Sequence, residues 1–172
     1  MIDEFLLIQK MKQGDEEAID RFIRRYYEEI LKYCSWRCFD AGYAEDLAKE
    51  TFVRFFASLS DYRCRGKTKN YLYRIAGNLC KDFYREKKEL PVKDEELEKS
   101  GVPDTMDHIL DKVMVEEAVG ALSAEFQEVI VLFYFQEMKL LEIADVLKIS
   151  LPLVKYRLRQ ARKQLEQNMR KV

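Results

Sequence analysis

From Asp15 onward, Ala18, Ile19, Phe22, Ile23, Tyr26, Ile30, Leu31 and Cys34 recur at three- and four-residue steps. That spacing gathers side chains on one side of an α-helix and scatters them over both faces of a strand. Gly14 and Asp15 supply a break and an N-cap in front of the stripe. Leu47, Thr51, Phe52, Phe55, Phe56 and Leu59 repeat the pattern after a break expected at Gly42, and Leu72, Ile75, Ala76, Leu79 and Phe83 repeat it after "RCRGKTKN". Three such stripes can close one helical core. The main strand-like text, "VIVLFYF" at 129–135, has the length and flanks of a buried helix, and Ser123 stands ahead of it as a cap. The expected class is all-α.

With 172 residues, 48% of them hydrophobic, the chain can bury a core as one domain or as two small ones. Local pattern favours two. Between Glu89 and Lys112 the text turns to "ELPVKDEELEKSGVPDTMDHILDK", with two prolines, one glycine and few large apolar residues. The expected organisation is a helical domain over 1–88, a flexible acidic linker over 89–112 and a second helical domain over 113–172. Charge follows the same division. The chain as a whole is balanced, with 30 Lys/Arg against 31 Asp/Glu, but residues 89–125 hold 3 basic and 11 acidic side chains while 126–172 hold 9 and 5.

Several function classes drop out. The apolar run near the start is four residues long and follows acids, unlike a secretory leader, and no run approaches the roughly 18 residues of a membrane span. A cytoplasmic chain without membrane insertion is expected. Cys34, Cys38, Cys64 and Cys80 read as buried or idle thiols: there is no CxxC, and the one histidine, His108, is far from them in sequence. No catalytic residue, metal site or cofactor is expected, because no glycine-rich phosphate loop and no Ser/His/Asp arrangement is present.

Residues 142–165, "EIADVLKISLPLVKYRLRQARKQL", carry the strongest motif. Ile143, Leu147, Ile149, Val154, Leu158 and Leu165 are spaced so that two helices meeting at an angle share a core, with the small Ala144 allowing close approach. Ser150 caps the second helix, and Pro152 is tolerated in its first turn. Lys155, Arg157, Arg159, Arg162 and Lys163 read as an outward basic row that suits DNA phosphates, leaving the helix's N-terminal residues for base edges. A merely solvated basic helix would carry the same charges.

Residue identity goes further. "LLEIADVLKISLPLVKYRLRQARKQL" resembles the last DNA-binding region of bacterial sigma factors of the extracytoplasmic-function (ECF) group, with Glu142, Ile143, Ala144, Leu147, Ile149, Ser150, Val154, Lys155, Arg157, Leu158, Ala161, Arg162 and Leu165 matching. Lys148 stands where that family usually has glycine, Leu153 and Tyr156 replace threonine and serine, and Gln160 replaces arginine. "GYAEDLAKETFVRFF" (42–56) resembles the family's polymerase-docking segment through Glu45, Asp46, Leu47, Glu50 and Phe52, with Lys49 in place of glutamine. "NYLYRIAGNLCKDFYREKK" (70–88) resembles the helix that meets the promoter's −10 element, matching at Leu72, Tyr73, Arg74, Ile75, Ala76, Asn78, Asp82 and Arg85 and departing at Tyr71 and Gly77.

The resemblance implies a transcription initiation factor without catalysis of its own. Core RNA polymerase would be held at its clamp by Glu45, Asp46, Leu47, Glu50 and Phe52. The −10 element would meet Tyr62, Arg63, Lys67, Tyr71, Arg74, Asn78, Asp82 and Arg85. The −35 element would meet Ser150, Leu153, Lys155, Tyr156, Arg157, Arg159, Arg162 and Lys163, in a domain that also binds the polymerase flap. An anti-sigma factor is an implied further partner. The composition of 62–88 agrees, since nine Lys/Arg against two Asp/Glu, interspersed with tyrosines, suit unpaired DNA. Half-buried helix packing is the alternative for those tyrosines, and core packing the alternative for Phe52, Phe55 and Phe56. The rival function is a free-standing helix-turn-helix regulator that acts without polymerase.

Overall fold

A computed structural model describes residues 3–89 and 106–171. Among them are eight α-helices and no strand: α1 (Glu4–Lys12), α2 (Glu16–Cys38), α3 (Ala41–Ala57), α4 (Thr68–Glu89), α5 (Met106–Gly120), α6 (Ala124–Ile130), α7 (Leu140–Leu147) and α8 (Leu151–Arg170). The all-α expectation holds. Most of the expected linker, and the side chain of His108, lie outside the described residues.

The helix ends follow local chemistry. The carboxylate of Asp15 accepts from the Ala18 N–H at 3.1 Å, and Ser123 and Ser150 accept from Phe126 and Leu153. Each satisfies one of the orphan donors of a first turn. The break before α3 is made by Phe39 and Asp40 and not by Gly42. Phe39 ends α2 in the left-handed region at φ 53°, and the Asp40 side chain caps α3 by accepting from Tyr43 at 3.0 Å. Gly42 has no acceptor to offer a helix start and sits inside the first turn. The "VIVLFYF" segment is helical throughout, but it widens from α6 into a π-helical turn over Val131–Phe135.

In the N-terminal unit α2, α3 and α4 pack side by side, with α1 covering one end. Phe22 is the hub of the core: its ring stacks on Phe55 at 4.8 Å between centroids and meets Phe52 edge-on at 6.2 Å. Below it Tyr33 and Tyr73 are fully buried, and the free thiols of Cys34 on α2 and Cys80 on α4 share a hydrogen bond that raises the pKa of the first and lowers that of the second. In the C-terminal unit α5 to α8 close over Val119, Leu132, Ile143, Val146, Val154, Leu158 and Ala161.

The two units share one core, with α7 lying along α4 and the π-helical turn against α2. Trp36 stacks on Phe135 across this junction at 3.8 Å.

Lys148 turns the corner between α7 and α8 at φ 53°, ψ 44°. A non-glycine side chain pays about 1 kcal/mol for that left-handed backbone, partly offset because glycine has more conformational entropy to lose on folding. Lys148→Gly should therefore raise stability, by up to about 1 kcal/mol. A thermal or urea unfolding midpoint that falls in this variant would contradict the assignment of strain to that corner.

Candidate nucleic-acid interface

The exposed face of α3 carries Glu45, Asp46, Lys49 and Glu50, with Glu50 also paired to Arg54 at 3.2 Å. Leu47 is half-buried beneath them. Phe52 differs from the expectation of an exposed anchor. It is 4% exposed, wedged against Phe22 and Tyr27, because its position on α3 falls within the buried stripe of Ala44, Ala48 and Phe55. The apolar group that this face does present is Val53, 59% exposed and one turn beyond Lys49 and Glu50. Sequence reading missed Val53, although its spacing of three and seven from Glu50 and Asp46 was visible.

On α4 and the loop before it, the expected residues divide into three sets. Tyr62 and Tyr71 stack on each other at 5.2 Å and lean on Phe55, while their hydroxyls bond to Thr68 and Ser58. They are half-buried packing residues. Arg63, Asn78, Asp82 and Arg85 are exposed. Lys67 and Arg74 are already engaged by the C-terminal unit. Lys67 Nζ lies 3.6 Å from Asp145 Oδ1, and Arg74 donates to the Asp145 and Val146 carbonyls at 2.9 and 3.4 Å. Asn70, absent from the expected set, donates to the Asp145 carboxylate at 3.2 Å. Arg74 thus caps the C-terminal end of α7, where unpaired carbonyls and the helix dipole both favour a cation.

Deeper in the junction lies a charge cluster that pattern reading missed. Arg37 of α2 is 0% exposed, 3.8 Å from Glu128 of α6, whose carboxylate also receives Lys81 of α4 at 3.3 Å. Its position was the available signal, since Arg37 follows Tyr33 and Cys34 by four and three residues in the apolar stripe of α2. Burial holds the Tyr73 phenol well above its ordinary pKa, so it stays an O–H donor, to Gln136 Oε1 at 2.7 Å.

On α8 the buried stripe is Val154, Leu158 and Ala161. Lys155, Tyr156, Arg159 and Lys163 stand at three- and four-residue steps on the solvent face, with Tyr156 54% exposed. Leu153 is half-buried, and the Ser150 hydroxyl is taken by its cap. Arg157 leaves the expected outward row: it sits beside the buried stripe, 17% exposed, 3.5 Å from Glu125. On the other flank Arg162 remains exposed but lies over the Phe133 and Tyr134 rings and donates to the Tyr134 hydroxyl at 2.6 Å. Of the expected row, Lys155, Arg159 and Lys163 thus remain without an ion pair or ring contact among the described residues, and such a row suits a phosphate backbone. No candidate metal cluster occurs among the described residues, and no helix among them is long and apolar enough to cross a membrane.

Two family descriptions match the chain: Sigma-70 region 2 over residues 22–89 and Sigma-70, region 4 over residues 112–165. The chain is 30% identical to the ECF RNA polymerase sigma factor SigW of Bacillus subtilis, over 95% of each protein, and 32% identical to the RNA polymerase sigma factor YlaC of the same organism, over 94% of this chain and 96% of that one. Its fold is similar to that of CnrH, solved in complex with the cytosolic domain of CnrY, at TM-score 0.72 and 23% identity, over 95% of this chain and 94% of that one.

The geometry of α8 makes a graded prediction. Lys155→Ala and Arg159→Ala should each lower by about one the slope of log affinity for duplex DNA against log salt, because each removes one phosphate neutralisation. Thermal stability should not move. Arg162→Ala should also lower the unfolding midpoint, since it loses the Tyr134 hydrogen bond and two ring contacts. Equal salt slopes for wild type, Lys155→Ala and Arg159→Ala would place the DNA on another face.

Proposed function

The chain belongs to the sigma-70 family, as a sigma factor of the ECF group, and from that premise we propose how its surfaces divide the work of starting transcription. It is a transcription initiation factor that acts with core RNA polymerase. The family is non-catalytic, and on our reading this chain likewise leaves the chemistry to polymerase, in the cytoplasm where the polymerase works. Residues 1–88 and 113–172 are the two working domains, joined through 89–112.

The observation that carries this division is the separation of charge by face. The α3 face of Glu45, Asp46 and Glu50 with Val53 offers charge-assisted contacts and one apolar anchor to a basic protein surface, which fits the polymerase clamp. The cationic stretch formed by α4 and the loop before it, with Arg63, Lys67, Arg74 and Arg85 beside Asn78, fits the opened −10 strand, where Tyr62 and Tyr71 back the surface. The α8 row of Lys155, Arg159 and Lys163 positions the −35 duplex, and Leu153 and Tyr156 at the start of that helix bias which bases it accepts. A free-standing regulator would leave the docking face on α3 without use. An anti-sigma factor is a further expected partner: a structural relative, the sigma factor RpoE of Bartonella quintana, was solved with the anti-sigma factor NepR.

The direct experiment is transcription from a pool of promoter fragments by core polymerase with and without this chain. New start sites that depend on the chain are the expected result, and a pool unchanged by its addition would refute the function. Reversing charge with Asp46→Lys and Glu50→Lys together should weaken core binding at least about tenfold, or about 1.4 kcal/mol. The circular dichroism should remain that of the wild type, because both side chains are exposed. Wild-type affinity in this double variant would move the clamp contact off α3.

A further inference from the structure

Within the expected row of α8, Arg162 is set apart because it is exposed and yet already held. Its Nε donates to the Tyr134 hydroxyl at 2.6 Å, and its guanidinium carbon lies 5.5 Å from the ring centroids of both Phe133 and Tyr134. Nη1 and Nη2 make no hydrogen bond or ion pair among the described residues. A guanidinium is planar, so a tied Nε and two rings beneath it leave few orientations for the remaining N–H groups. The Tyr134 hydroxyl has given a lone pair to Arg162 and keeps its own proton, which it can donate to the same anion. We propose that Tyr134 and Arg162 form a two-residue phosphate clamp beside the α8 row, with Tyr134 the positioning residue that presets the guanidinium for the backbone of duplex DNA. This rests on the assignment of α8 to duplex DNA.

Tyr134 reaches α8 from the π-helical turn over Val131–Phe135. Three consecutive rings there serve different partners: Phe133 and Tyr134 meet Arg162, whereas Phe135 stacks on Trp36 of α2. A turn wider than α redirects each successive side chain, and single π-helical turns within helices occur frequently at functional sites. Phe133 meets the Tyr134 ring edge-on at 5.0 Å and is itself packed against the core, so it braces the phenol. Along α8, Arg162 follows Arg159 by three residues and Lys155 by seven, which places the clamp on the flank of the exposed row. A free arginine gives up much rotamer freedom when it takes a phosphate, and one already held gives up little. Preorganisation of this kind raises affinity without adding charge.

Phosphate contacts carry no base information, so a fluorescent duplex of mixed sequence is a sufficient probe for the full-length chain. Tyr134→Phe keeps both rings and removes only the hydroxyl. Arg162→Lys keeps the charge and removes Nε with the planar fork. The two single variants, the double variant and Arg162→Ala are compared with wild type for duplex affinity across a range of salt. Binding is measured well below every unfolding midpoint, where a hydroxyl of purely structural value would leave affinity unchanged.

Tyr134→Phe should weaken duplex binding roughly threefold or more with the salt slope unchanged, because the charge of Arg162 remains. Arg162→Lys should lose a similar factor, again at the wild-type slope, and the double variant should lose no more than either single one. Arg162→Ala should lower the slope by about one. Wild-type affinity in Tyr134→Phe or in Arg162→Lys would overturn the clamp, and so would losses that multiply in the double variant. Wild-type salt slopes in Lys155→Ala and Arg159→Ala would instead refute the assignment of α8 to duplex DNA, so the two failures are told apart.

Discussion

A carboxylate in a protein interior must be met by cations, and Glu128 is met from two other helices at once. Arg37 reaches it from α2 and Lys81 from α4, while Glu128 itself rides on α6. That requirement fixes how the C-terminal unit sits on the N-terminal one, and much of the junction follows. With α6 held there, the π-helical turn brings Phe135 onto Trp36 and Gln136 onto Tyr73, and α7 is left with its C-terminal carbonyls beside Arg74. Removing Glu128 would leave the buried Arg37 without its counter-charge, in a medium where an unpaired ion costs several kcal/mol. The arrangement is specified as much by that penalty as by apolar packing.

Within each unit the stabilising logic is ordinary helix packing with local devices at the ends. The Phe22–Phe55 stack and the rings around it supply the apolar burial, and Asp15, Asp40, Ser123 and Ser150 each satisfy an exposed N–H. The left-handed residues Phe39 and Lys148 end α2 and α7 without glycine. At Lys148 the corner sets the angle at which α8 leaves α7.

Charge placement links this architecture to transcription initiation. The acidic face of α3 and the cationic row of α8 are solvent-exposed, whereas Lys67, Asn70 and Arg74, at and just before the start of α4, are engaged by α7.

By itself the sequence determined whatever is local. Helical class, the caps at Asp15, Ser123 and Ser150 and the helix-turn-helix text were legible because a 3.6-residue period and a cap depend on residues within one or two turns of each other. The identity of the family was legible for the same reason, since its motifs run along single helices. Tertiary structure alone decided which residues at the margin of a stripe turn inward: Phe52 into the core, Val53 out, Arg157 toward Glu125 and Arg37 to Glu128. It also decided that Asp145 would meet Lys67, Asn70 and Arg74, partners more than seventy residues away. Periodicity says that a helix has two faces. Which polar groups must find one another depends on which surfaces are pressed together, and that is settled by desolvation across the whole fold.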